Sequence, residues 1–174
     1  DSDHIAVLNI EGVIKNDRSR IELIKAARDR KNTRALVLHI NSPGGTVVGG
    51  EILYHALRKF SKSKPVVAVM GDLATSAGYM VAIATDRIFA QNGTITGSIG
   101  VLLQTAEITT LLKNLGIRVE MLKSSELKGS PSPLERLSPE SRASTQELVT
   151  DMYNMFKSMV LERRNIGPNN AKYV

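Results

Sequence analysis

The chain has 174 residues, 42% of them hydrophobic, no cysteine, and 23 Lys and Arg against 17 Asp and Glu for a net charge of +6. That is enough for one globular domain with a sizeable core, spanning residues 1–174, and the missing cysteine excludes disulfides, thiolate metal sites and a cysteine nucleophile. The basic residues are spread over 18–34, 58–64 and 157–164 without interleaved aromatics, so they read as a solvated surface and no nucleic-acid partner is expected.

In chain order, residues 5–10 are short, apolar and β-branched and predict a buried first strand. Residues 20–30 place Ile21, Ile24 and Ala27 on one face with charges opposite, a surface helix. Residues 34–40 predict a second buried strand, which enters Asn41-Ser42-Pro43-Gly44-Gly45; from Val48 the positions Ile52, Leu53, Ala56, Leu57 and Phe60 keep helical spacing. A third strand, 66–70, breaks at Gly71 and restarts as a small-residue helix at Ser76. Residues 87–90 form a short strand, Asn92-Gly93 and Thr96-Gly97 are turn signals, and 98–103 are again apolar. A helix over 108–115 stops at Gly116, a strand follows over 117–122, and a Pro- and Ser-rich loop runs over 123–137. Ser138-Pro139-Glu140 opens a long last helix with an apolar face of Leu148, Met152, Met155, Phe156 and Met159. Strands alternating with helices at this spacing predict an α/β fold of βαβ units with a mainly parallel sheet. No apolar run reaches the ~18 residues that cross a bilayer, so the chain itself is expected to be soluble.

The strand-to-helix restart sets the Ser76 hydroxyl at a helix N-terminus, where unpaired N–H groups and the dipole favour a developing oxyanion. Serine is also a preferred helix cap, so capping is the alternative role. The 41–45 segment ends a parallel strand at the sheet edge where open α/β sheets place their sites, and its glycines can aim N–H groups outward. Neither phosphate-loop pattern is present. A serine nucleophile needs a base. The histidines are His4 at the terminus, His39 inside a buried strand and His55 on a helix, none in a loop at the catalytic edge, and no ligand-like spacing suggests a metal. Lysine is the remaining base, and near neutral pH its pKa must fall from ~10.4 by about three units through burial and dipoles. Exposed helices disfavour Lys113 and Lys157, leaving Lys123 and Lys128 in the 123–137 loop, with Lys128 the deeper of the two.

Four motifs now carry a resemblance: Asn-Ser-Pro-Gly-Gly at 41–45, Gly71-Asp-x-Ala-x-Ser-Ala-Gly-Tyr79, Thr96-Gly-Ser-Ile-Gly-Val101, and Lys123-Ser-x-x-x-Lys128 before Ser-Pro. In order and spacing, over about residues 5–164, they resemble the SppA serine proteases, the signal peptide peptidase A family, which share the ClpP and crotonase architecture of repeated ββα and βαβ units. The resemblance implies Ser76 as nucleophile, Lys128 as general base, Ser98 as the hydroxyl that orients the lysine amine, and the backbone N–H groups of Gly44 and Ala77 as the oxyanion hole, with no cofactor and no metal. It also implies a ring-like homo-oligomer whose dyad is completed across protomers. Its substrates would be cleaved signal peptides or other membrane-associated peptides, and its full-length form membrane-associated with the catalytic domain on the extracytoplasmic, periplasmic side. Against that pattern, residues 1–174 are expected to carry neither the family's N-terminal anchor nor its customary C-terminal segment. Two other classes remain in view: a crotonase-like acyl-CoA enzyme using the same glycine amides with a carboxylate base, and a non-catalytic assembly module joined through the Met-rich helix.

Overall fold

The computed structural model describes residues 2–167 and 170; the expected domain end at Val174 lies outside the described residues. The chain divides into two compact units, Asp1–Gly100 with Met155–Val174, and Val101–Asn154.

The first unit opens with strand β1 (His4–Glu11), helix α1 (Arg18–Asp29), strand β2 (Thr33–Ser42), helix α2 (Val47–Ser61) and strand β3 (Val66–Thr75). Helix α3 (Ala77–Ile83) and strands β4 (Arg87–Phe89) and β5 (Ile95–Gly97) follow. Every strand pairing is parallel, in the order β1-β2-β3-β4, with β5 joined to β3. The crossover helices are started by local chemistry: the Asp17 carboxylate accepts from Arg20 N at 3.2 Å, and the Thr46 hydroxyl from Gly49 N at 3.1 Å.

Period-two alternation decides which side of the sheet carries the core. Ile10, Leu36, Leu38, Ile40, Val66, Ala68 and Met70 are buried together with Leu53, Leu57 and Phe60 of α2 and Met80 and Ile83 of α3. The opposite face is more open, and this corrects two expectations. Residues 5–10 are not a buried strand: Ile5 and Val7 are 60% and 63% exposed, because β1 is the sheet edge and only Ile10 is fully covered. His39 lies on β2 as predicted, but on its exposed face. The last helix, α5 (Pro139–Arg163), starts in the second unit and ends in the first, where Phe156 and Val160 join the core. Its Arg163 donates from Nε to Ile83 O at 2.9 Å and from Nη2 to Thr85 O at 3.0 Å, satisfying carbonyls at the end of α3.

In the second unit, helix α4 (Thr109–Asn114) is followed by Gly116 at φ 75°, with Ile117 N donating to Leu112 O at 2.9 Å, so glycine stops the helix as expected. Ser138 caps α5, its hydroxyl accepting from Ser141 N at 3.1 Å. The expected strand over 117–122 does not form: its alternation is strand-like, yet no neighbouring strand pairs with it and Leu122 is fully exposed. Leu148, assigned to the apolar face of the last helix, is also exposed.

Candidate active site

The site is built where β3 changes neighbour. Val67–Val69 pair with β4, whereas Leu73–Thr75 pair with β5 after the break at Gly71 and Asp72. Two threonines tie β5 to this second half: Thr94 Oγ1 donates to Gly71 O at 2.8 Å and Thr96 Oγ1 to Ala74 O at 2.9 Å. Thr96-Gly97, read as a turn, therefore ends a short strand. The strand extends β3 five residues beyond the predicted 66–70 and delivers the chain to Ser76.

Ser76 stands at the N-cap position of α3 with φ 53° and ψ −121°, and its side chain makes no capping hydrogen bond. The left-handed φ is unusual for a residue with a Cβ, and it turns the chain sharply from strand to helix. The Ser76 N–H donates to Gly97 O at 2.9 Å and its carbonyl accepts from Met80 N at 2.9 Å. The backbone is thus fixed on both sides while the hydroxyl is left uncommitted, and the half-buried side chain is spared the cap role that serine usually takes here.

The 41–45 segment lies against it. Gly44 has φ +108°, and a Cβ there would meet Ser76 Cβ at 2.7 Å, Thr75 O at 3.1 Å and Ala77 N at 3.2 Å, so only glycine lets the two backbones approach. Ile14 pins the loop from below: Ile14 N donates to Gly44 O at 2.8 Å, and Thr46 N to Ile14 O at 2.9 Å. Sequence reasoning missed Ser42. Its buried hydroxyl donates to Gly12 O at 2.6 Å and accepts from Gly44 N at 3.1 Å, so an oxyanion must draw the Gly44 N–H away from Ser42 or share it. The only signal was the Ser inside the Ser-Pro-Gly-Gly motif, with nothing to say that its partner lies thirty residues back.

The structure brings Gly44, Ser76 and Ala77 together and places Ser98, at φ 51° and exposed, directly after the Gly97 carbonyl that holds Ser76. Lys128, expected to be the deeper of the two loop lysines, is instead exposed on a loop of the second unit, its N–H donating to Ser125 O at 3.1 Å, because residues 124–129 form an uncovered turn; Lys123 is the half-buried one. The other candidate lysine differs: Lys123 Nζ lies 2.5 Å from both carboxylate oxygens of Glu135. Of the histidines, His4 meets Thr33 Oγ1 at 3.1 Å and His55 packs its ring edge-on to Tyr54, and none is bonded to Ser76. Among the described residues no group of His, Asp and Glu could hold a metal ion, and no helix is long and apolar enough to cross a membrane.

Comparison with known proteins finds relatives of the sequence and of the fold. Residues 58–174 match the sequence model of peptidase family S49. The chain is 35% identical, over 97% of its length, to a protein of Synechocystis sp. named as a protease, of which it covers 61%. It is 31% identical over 84% of its length to the chloroplastic serine protease SPPA of Arabidopsis thaliana, and 33% identical over 76% to Protease 4 of Haemophilus influenzae, covering 22% and 23% of those chains. A mutant ClpP1 from Listeria monocytogenes superposes with a TM-score of 0.56 at 14% identity, covering 96% of this chain and 77% of that one, which shows a ClpP-like fold.

Proposed function

Because the chain belongs to peptidase family S49, the family of signal peptide peptidase A, we propose that it is a serine endopeptidase that cleaves through an acyl-enzyme, with Ser76 as nucleophile and Lys128 as general base. One observation carries the reading: a serine held at a helix start in a left-handed conformation makes no cap bond, so its hydroxyl is reserved for something else. The lysine assignment rests on a second difference. Lys123 is committed to a carboxylate, whereas Lys128 has no ion pair among the described residues.

In this mechanism the neutral Lys128 amine takes the Ser76 proton as Oγ attacks the peptide carbonyl carbon. The tetrahedral oxyanion accepts hydrogen bonds from Ala77 N and from Gly44 N, the latter drawn from or shared with Ser42 Oγ; in such a hole one donor is worth ~3 kcal/mol. The Lys128 ammonium then protonates the leaving amine, the C–N bond breaks, and the lysine deprotonates the water that releases the acyl group. Ser98 orients the amine. The substrates are cleaved signal peptides and other membrane-associated peptides, met on the extracytoplasmic side by a membrane-associated protein. The dyad is completed between protomers of a homo-oligomer. The chain spans about half to three fifths of the first relatives it matches, so these properties are proposed for the whole protein.

The test is cleavage of a peptide pool rich in Ala and Leu, read by mass spectrometry. Ser76→Ala and Lys128→Ala are each expected to reduce cleavage at least a thousandfold with circular dichroism unchanged. Wild-type cleavage by Ser76→Ala overturns the nucleophile; cleavage retained by Lys128→Ala overturns the base.

A further inference from the structure

The loop that carries Lys128 has almost nothing of its own to hold it. Residues 124–134 contain no helix or strand. Their internal bonds are local turns: Lys128 N to Ser125 O at 3.1 Å, Ser130 N to Leu127 O at 3.2 Å, and Leu134 N to Ser132 Oγ at 3.2 Å. None of these links one end of the loop to the other. Lys123 and Glu135 do. The ammonium reaches both carboxylate oxygens, and the two side chains are only 17% and 27% exposed, so solvent screens the pair less than a surface ion pair. Just inside the crossing point, Pro133 O accepts from Ile108 N at 2.9 Å, which holds the outgoing limb at the start of α4 but does not join it to the incoming one.

We propose that the Lys123–Glu135 ion pair is a latch that positions Lys128, closing the base of its loop and keeping the Glu135 carboxylate engaged with Lys123. The role rests on the reading of Lys128 as general base. The physical reason is twofold. A segment without ladder bonds samples many end-to-end distances unless its ends are joined, and a base displaced by about 1 Å can lose a hundredfold in rate. A carboxylate freed beside a loop lysine would also compete for its ammonium form. With Glu135 occupied by Lys123, Lys128 stands without an ion-pair partner among the described residues. Lys123 and Glu135 are thus positioning residues that act through the loop.

The experiment compares Glu135→Gln, Lys123→Met and the charge-swapped double variant Lys123→Glu with Glu135→Lys. Peptide cleavage is measured across pH, alongside Lys128→Ala. Trypsin nicking after Lys128 is followed separately, because it reports loop freedom whether or not the protein is active. Each single variant is expected to lower kcat about tenfold with KM within about twofold, and to speed nicking several-fold, while the swap restores both. In the single variants the acid limb of the kcat profile moves, which a loss of stability alone leaves in place. Wild-type kcat and nicking in both single variants overturn the latch, as does a swap that restores neither. Activity retained by Lys128→Ala instead overturns the base assignment, and the nicking rates then decide the latch by themselves.

Discussion

Ser76 and Ser98 both hold positive φ, at 53° and 51°, and each such residue costs on the order of 1–3 kcal/mol that its surroundings must offset. Around Ser76 the offset is visible in the Gly97 carbonyl, the Met80 amide and the bare glycine edge opposite. The two glycines of the 41–45 segment therefore differ in what a methyl group would do. At Gly45 a Cβ would lie 1.8 Å from Ile14 O, a backbone atom that cannot yield; Gly45→Ala is expected to cost more than about 4 kcal/mol, measured by urea unfolding. At Gly44 the Cβ would press on Ser76 itself, so Gly44→Ala is expected to cut labelling of Ser76 by a fluorophosphonate more than tenfold; labelling at the wild-type rate would show that the two backbones can separate. Ser76 was legible in the sequence because an apolar run that breaks and restarts marks a strand-to-helix turn. Ser42 was not, since its role is a bond to Gly12 O across the sheet and no local pattern encodes a partner that distant.

Among the elements, periodicity gave type and order from β1 to β4, and failed where tertiary partners decide. Residues 117–122 alternate like a strand and have nothing to pair with, while Thr96-Gly97, read as a turn, ends β5 because β3 offers a free edge there. Helix α3 depends on partners remote in sequence in the same way. Arg163 donates two bonds to carbonyls at its end, and Arg58 Nη1 a third to Ala84 O at 3.2 Å. Arg163→Gln is expected to lower stability by about 1.5–3 kcal/mol, read from denaturant midpoints, because bonds from a charged donor to otherwise unpaired carbonyls are lost. Tyr54, on α2, contributes a pH dependence. Burial, with the Glu162 carboxylate nearby, raises its phenol above the usual value near 10. A raised acid favours its protonated form in the folded state, so its contribution is complete below that value and is lost as pH climbs through the folded one. Thermal unfolding between pH 9 and 11 is expected to show a steeper fall for the native chain than for Tyr54→Phe.

For the molecule as a whole, the +6 charge and sparse aromatics led away from nucleic acid, and the four spaced motifs led toward family S49, where the sequence comparison also places the chain. Their spacing could not reveal that the proposed nucleophile and base belong to different compact units, because unit boundaries follow from contacts between remote segments. If the dyad is shared between protomers, cleavage is expected to rise faster than linearly with protein concentration, in step with the oligomer mass seen by sedimentation; strict linearity from a monomeric sample would rule that sharing out. The Ser76 amide is held by the carbonyl of a three-residue strand on the far half of β3, not by the strands that cover the core. Opening β5 releases Ser76 without breaking a single β1-to-β4 pairing, so the nucleophile can be lost through a local excursion far smaller in free energy than global unfolding. Dormancy and denaturation are separate events in this fold, and a native circular dichroism spectrum speaks only to the second.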